Sequence, residues 1–272
     1  MIKISVYTLG FPGYQIEDII KVSSELGYDG IDIRVREDGH IYIDAPKGYR
    51  RKILDTAKSY GIDIYGIYSY LGERFVSRDP NIREKVLEDI KKHLDLAVDL
   101  GGVYLRIFPG TSEISEENMR LFIDMLRKAC REAEDRGIFI GIETHGELVV
   151  DGDSCNYVLK EISSDMLKIV YDPANVFFRG YDPAKELKKI DLSNVIAVQF
   201  HDIKIIGDKT KSVLLGEGDV PFDPVIDHLV DKNYQGYIVD EYEKWWHPEL
   251  PDPKEGLPKE IKYLKEKLKT LL

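Results

Sequence analysis

The chain has 272 residues, 43% of them hydrophobic and 32% charged, with a formal charge of −11. This length suits one large domain that needs no covalent staple, and we read residues 1–272 as a single domain. The acidic surplus repels phosphate backbones and disfavours nucleic acid as a partner.

Taken in chain order, short runs rich in Ile, Val and Tyr alternate with longer amphipathic stretches. The expected strands are 3–7, 30–34, 63–68, 103–108, 139–144, 167–172, 197–201 and 237–241. Runs of four to six residues of this type suit buried parallel strands. Helices are expected over 15–26, 48–60, 79–100, 116–136, 153–163, 182–190, 222–232 and 257–271. Ser115 before Glu116 and Glu117 reads as a helix N-cap. Gly27, Gly61, Gly101 and Gly137 follow helical runs as C-terminal caps do. Strict β-α alternation implies a parallel sheet with helices outside. Eight such units filling the chain favour a closed (β/α)8 barrel over an open sheet.

Cys130 and Cys155 have no C-x-x-C spacing and read as reduced thiols. The opening Met-Ile-Lys-Ile-Ser-Val lacks the apolar region of a signal peptide, and no apolar run reaches the length of a membrane span. A cytoplasmic location with no membrane partner is therefore expected.

Active sites of such barrels lie at the C-terminal ends of the strands. The fifth expected strand ends Ile-Gly-Ile-Glu143, the sixth Ile-Val-Tyr-Asp172, the seventh Val-Gln-Phe-His201 and the eighth Ile-Val-Asp-Glu241. Each lies about one β-α unit from the next, so four potential ligands share one level on adjacent strands. Three carboxylates and an imidazole suit Mn²⁺, Co²⁺ or Mg²⁺. Zn²⁺ stays open, although its sites are usually richer in His or Cys.

The segments Gly-Ile-Glu143-Thr-His145, Tyr-Asp172-Pro-Ala-Asn175, Phe-His201-Asp-Ile-Lys204, Leu-Gly216-Glu217-Gly218-Asp and the terminal-strand Glu241 resemble the xylose isomerase-like barrel superfamily. The branch in view is that of ketose 3-epimerases, hydroxypyruvate isomerase and inosose dehydratase. The resemblance implies Glu143, Asp172, His201 and Glu241 as metal ligands, with Mn²⁺ the first expectation. It also implies Glu143 and Glu241 as an acid/base pair facing each other across a small polyhydroxylated carbonyl substrate. The expected activity is metal-dependent isomerisation or epimerisation in carbohydrate metabolism. An inosose dehydratase-like lyase and a non-catalytic sugar-binding barrel are alternatives. Several ketose epimerases carry a His where this chain has Asn175, which counts against a specific ketose 3-epimerase. An enzyme similar to endonuclease IV is a further alternative and fits less well, because that family builds a three-metal cluster with additional histidines.

Further substrate contacts are expected from Arg34, Tyr68, Arg106, His145, Asn175, Lys204, Glu217 and Trp246. Arg34 and Arg106 can bind substrate oxygens or form structural ion pairs at the barrel mouth. Tyr68 and Tyr70 end the third strand as an aromatic wall or as packing. Acidic Glu217 and Asp219 beside the two glycines argue against a phosphate cradle there. Trp245 and Trp246 can cap the pocket or form a dimer contact, so a homo-oligomer is open. His40, His93 and His228 read as ordinary surface or helix residues.

Overall fold

The computed structural model describes residues 2–207 and 209–269. Its centre is a closed barrel of eight parallel strands: β1 (Lys3–Tyr7), β2 (Gly30–Arg34), β3 (Asp63–Ser69), β4 (Tyr104–Ile107), β5 (Phe139–Glu143), β6 (Leu167–Tyr171), β7 (Val195–Phe200) and β10 (Tyr237–Asp240). Strand β10 pairs with both β1 and β7, which closes the ring. The eight strands sit where the sequence pattern places them.

Helices α1 (Ile16–Leu26), α2 (Lys47–Ser59), α3 (Pro80–Leu100), α4 (Glu116–Glu134) and α5 (Gly152–Ile162) cross over between the strands. Their ends follow from local chemistry. Asp79 accepts from Asn81 N with Pro80 in the first turn of α3, and Ser115 accepts from Asn118 N at the start of α4. Both place a side-chain acceptor on an orphan amide. Gly101 ends α3 at φ 72°, a left-handed conformation that favours glycine. On α4, Leu121, Phe122, Met125, Leu126, Ala129 and Ala133 form the buried stripe against the barrel.

The second half departs from the expected pattern in three places. The expected helix over 182–190 is a shorter α7 (Pro183–Leu187), preceded by a separate α6 (Pro173–Phe178). Gly180 at φ 86° breaks the two apart. After β7 comes a hairpin, β8 (Asp202–Ile206) and β9 (Lys209–Val213), antiparallel and outside the barrel. Beyond α8 (Asp223–Asp231), the final helix α9 (Pro253–Lys269) begins before the expected 257 because Pro253 serves as a helix start and Pro258 is still in its opening turns. Residues 270 and 271 of the expected helix lie outside the described residues.

Tyrosines fill much of the barrel interior. Tyr65 stacks on Tyr237 with centroids 3.8 Å apart and meets Tyr104 edge-on at 5.1 Å. Gly66 and Gly141 make this possible, since a Cβ on either would overlap the Tyr104 ring. Buried hydroxyls need acceptors. Tyr104 donates to Asp32 Oδ1 at 2.9 Å and Ser5 to Asp32 Oδ2 at 2.5 Å. Both cysteines are buried and unpaired. Among the described residues no helix is long and apolar enough to cross a membrane.

Burial pushes the Asp32 carboxyl up to about 7, against the hydrogen bonds that favour its charge. The folded chain therefore keeps this proton through the range in which the unfolded chain, with an ordinary carboxyl near 4, releases it. Asp32 costs stability progressively as pH rises from about 4 to 7, at up to about 1.4 kcal/mol per pH unit. In urea melts at pH 5 and pH 8, the Asp32→Asn variant should gain stability relative to the parent chain at the higher pH. A pH-independent difference between the two would contradict a raised Asp32.

Candidate metal centre and active-site cavity

The ends of β5, β6, β7 and β10 converge at the barrel mouth. Glu143 is the last residue of β5, while Asp172, His201 and Glu241 lie one residue past their strands. Asp172 leaves the strand because it caps α6: its Oδ1 accepts from Ala174 N at 2.9 Å and Asn175 N at 3.1 Å. That fixes the carboxylate and turns Oδ2 toward His201. His201 Nδ1 lies 3.2 Å from Asp172 Oδ2 and 3.2 Å from Glu241 Oε2.

Asp172, His201 and Glu241 each offer a ligand atom within 4.8 Å of the others. Asp172 Oδ2 and His201 Nδ1 are buried without a hydrogen-bond partner. Buried polar atoms are rarely left unpaired, and two carboxylates with an imidazole are a usual donor set for a divalent ion. The residues present fit a metal ion.

Glu143 sits beside this triad. Its Oε1 accepts from Gln199 Nε2 at 3.1 Å, and its Oε2 lies 3.3 Å from Arg106 Nη1. The same Gln199 nitrogen donates to Glu241 Oε2 at 2.6 Å. One amide thus clamps the two glutamates that the family resemblance implies as a pair. Arg106 is buried over the Tyr68 ring at 4.5 Å and donates to Ser69 O.

The electrostatics separate the acids. Burial, with the nearby charges of Glu241 and Asp172, pushes Glu143 up to about 8 against the opposing Arg106. Burial also raises Asp172, although His201 opposes it. For Glu241, burial is outweighed by contact with His201 and by the charges of His201 and Arg106, and its carboxyl falls below the ordinary range. Burial works against a charged His201, yet the charges of Asp172 and Glu243 hold its imidazole well above the usual value.

A cavity of about 330 Å³ opens over these groups, lined by Glu143, His201 and Glu241 together with Arg106, His145, Asn175 and Trp246. His145 is held near pKa 4 by burial and by Arg106, so its ring is neutral, and it packs edge-on against Phe108 at 4.5 Å. Trp246 is 45% exposed at the rim.

The other expected contacts lie elsewhere. Tyr68 is fully buried in the inner tyrosine layer. Arg34 is buried too, bound to Asp38 at 2.9 Å and lying under Trp245 at 4.5 Å. It fastens the loop after β10 rather than lining the cavity. Lys204 is exposed on the outer hairpin, and Glu217 is exposed on a turn. The Gly-Glu-Gly segment is a tight turn, with Gly216 at φ 83°. Its amides are already engaged: Gly216 N and Gly218 N each donate to Asp202 Oδ2 at 2.9 Å. His40 is not a plain surface residue, since its ring meets Trp245 and its Nε2 contacts Phe11 O.

Sequence reasoning passed over Gln199, Glu243, Arg36 and Glu73, the last three of which line the cavity. Gln199 had a legible signal. It is a polar residue in an apolar strand, two before His201, and alternate residues of a strand share a face.

A model of the xylose isomerase-like TIM barrel matches residues 20–267. The chain belongs to this family. It is 27% identical over 176 residues to an inosose dehydratase of Clostridium beijerinckii, covering 59% of this chain and 58% of that protein. The match spans less than two thirds of that relative. To a fructoselysine 3-epimerase of Escherichia coli O157:H7 it is 23% identical over 251 residues, covering 87% of this chain and 89% of that one. The solved structure of an IolI protein with a bound zinc atom shares the fold at TM-score 0.79 and 18% identity, over 99% of this chain and 98% of that one.

A cation bound only by the folded chain must stabilise it. Saturating Mn²⁺ should raise the melting temperature of chelator-treated protein by about 5–10 °C, from ~2.7 kcal/mol at a hundredfold excess over Kd. Asp172→Asn and His201→Ala should each abolish most of that rise. An equal rise in both variants would place the ion elsewhere.

Proposed function

We propose that this chain is a divalent-metal-dependent isomerase or epimerase that moves a proton on a small polyhydroxylated carbonyl compound. The observation that carries the reading is the Gln199 clamp. It holds Glu143 and Glu241 beside the Asp172–His201–Glu241 ligand set, within one cavity. Neighbouring carboxylates whose environments push their pKa values apart are the pattern of an acid/base pair.

A divalent cation held by Asp172, His201 and Glu241, with Glu143 as the expected fourth ligand, would polarise the substrate carbonyl and stabilise negative charge on its oxygens. Mn²⁺ fits the oxygen-rich donor set, and Zn²⁺, Co²⁺ and Mg²⁺ remain compatible with it. One of the two glutamates, Glu143 or Glu241, would accept a proton from carbon, and the other would return one from its own side. Arg106 and neutral His145 offer hydrogen bonds to substrate oxygens, Asn175 offers an amide to a hydroxyl, and Trp246 shields the mouth. Positioning of this kind supplies a large part of the rate in proton transfers.

The partial match to inosose dehydratase favours a second reading with the same residues. Proton abstraction by one glutamate would be followed by loss of a β-hydroxyl as water, with the other glutamate as its acid. The product distinguishes the two.

The test is deuterium uptake from D₂O, followed by NMR with the Mg²⁺- or Zn²⁺-loaded chain and a panel of ketoses, aldoses, hydroxypyruvate and inososes. Metal-dependent uptake into one compound is expected. Glu143→Gln and Glu241→Gln should each slow it by 10²-fold or more, the scale of general acid–base catalysis. Retained turnover in both variants would remove the acid/base assignment.

A further inference from the structure

The catalytic cavity adjoins a second one. Arg36, Tyr70 and Glu73 line it, and the same three residues line an outer cavity of about 630 Å³. With the inner 330 Å³, the adjoining spaces approach the upper end of ligand sites, which run to about 1,000 Å³. The reacting unit proposed above takes up the inner space alone. In the shared wall, the Tyr70 hydroxyl lies 3.0 Å from Tyr7 OH, and the Arg36 guanidinium lies 4.9 Å from the Tyr70 ring centre.

Charges of both signs are interleaved along the outer cavity. Arg36 and Glu37 are chain neighbours, as are Glu73 and Arg74, and Lys85, Asp89 and Lys92 alternate in sign along one face of α3. Arg36 lies 3.6 Å from Asp38, and Arg74 lies 3.6 Å from Asp89. With Asp44 the lining holds four acids and four bases, in a chain whose formal charge is −11. A balanced, alternating lining selects for no net charge on a ligand. It suits groups that both donate and accept hydrogen bonds, as hydroxyls do.

Two further side chains narrow the ligand. His93 is a buried part of the lining, with Nδ1 2.7 Å from Asp89 O. A carbonyl only accepts, so Nδ1 carries the proton. Burial, with the charges of Arg74 and Lys92, outweighs Asp89 and lowers the pKa of this imidazole. The ring is therefore neutral, and Nε2 keeps a lone pair. An ionised carboxylate or phosphate has no proton to give it, whereas a hydroxyl has one. Tyr42, 64% exposed, adds an apolar ring to the lining. The C–H face of a pyranose packs on such a ring while its hydroxyls reach polar groups around it.

We propose that the outer cavity is a subsite for a second, uncharged sugar ring, joined by a glycosidic bond to the polyhydroxylated carbonyl unit that enters the metal cavity. Hydroxyls of the second ring bind the interleaved side chains and donate to His93 Nε2, and its C–H face lies on Tyr42. The substrate class is then a reducing disaccharide rather than a free monosaccharide or a sugar phosphate. The inference rests on the proposed function for the position of the reacting unit, and on the outer cavity for the second ring.

The test uses titration calorimetry on the full chain loaded with Zn²⁺. The probes are D-fructose against maltulose and isomaltulose, D-glucose against maltose and cellobiose, and fructose 6-phosphate and glucose 6-phosphate as charged comparisons. At least one disaccharide should bind about tenfold or more tightly than its monosaccharide, and neither phosphate should gain as much. Tyr42→Ala should remove most of that gain and leave the monosaccharide unaffected, while Tyr42→Phe, which keeps the ring, should retain it. Tyr42 is exposed, so both variants are expected to fold, and a thermal melt checks them. No gain for any disaccharide, an equal gain for a phosphate, a gain unchanged in Tyr42→Ala, or no binding of any probe would overturn the subsite. Deuterium uptake separates the two claims. Tight disaccharide binding without metal-dependent exchange keeps the subsite and removes the reaction, whereas exchange indifferent to the second ring does the reverse.

Discussion

Three carboxylates, Glu143, Asp172 and Glu241, are packed together and buried at one end of a parallel barrel. Like charges in a region of low polarisability repel strongly, and each loses hydration on burial. Every other feature of the mouth answers that constraint. The α6 amides and His201 face Asp172, Arg106 faces Glu143, and the Gln199 amide joins Glu143 to Glu241. Even so, Asp172 Oδ2 and Glu143 Oε2 remain without hydrogen-bond donors. A divalent cation bound by Asp172, His201 and Glu241 would answer this shortage of positive charge, and the proposed chemistry calls for the same cation.

The constraint reaches down into the barrel through Arg106. Its guanidinium pairs with Glu143 at the mouth, lies on the Tyr68 ring and donates to the Ser69 carbonyl. Tyr68 in turn touches the Tyr104 hydroxyl, which ends on Asp32. The tyrosine layer is therefore a polar column as well as a packed core. Two positions without a Cβ, Gly66 and Gly141, leave room for it. On the other side, buried Arg34 lies under Trp245 and Trp246 and fastens the rim loop. Two buried arginines thus divide the work: one faces the acids, and the other holds the aromatic edge of the cavity.

The barrel was legible because its strands are short apolar runs of fixed spacing, and strand ends map onto one rim. That logic reached Glu143, Asp172, His201 and Glu241, which need only chain order to converge. It was weaker where a side chain's direction decides its use. Arg34 and Tyr68 lie at strand ends as expected, yet packing turns them inward. Lys204 follows His201 closely, but the β8–β9 hairpin carries it outward, and the Gly-Asp pair between the Ile-rich 202–206 run and the 209–213 run was the hairpin signal passed over. The glycines around Glu217 do form a tight turn, although its amides serve Asp202, a partner that only the folded chain reveals. Gln199 was missed because one polar residue in an apolar strand reads as an interruption until both glutamates are seen on its amide.

The most direct test of the account is an anomalous diffraction measurement at the manganese absorption edge on crystals grown with Mn²⁺. The account predicts one strong peak bounded by Asp172 Oδ2, His201 Nδ1 and Glu241 Oε2, with Glu143 on its open side. Crystals that hold Mn²⁺ only elsewhere, with these four side chains closed on one another, would contradict it.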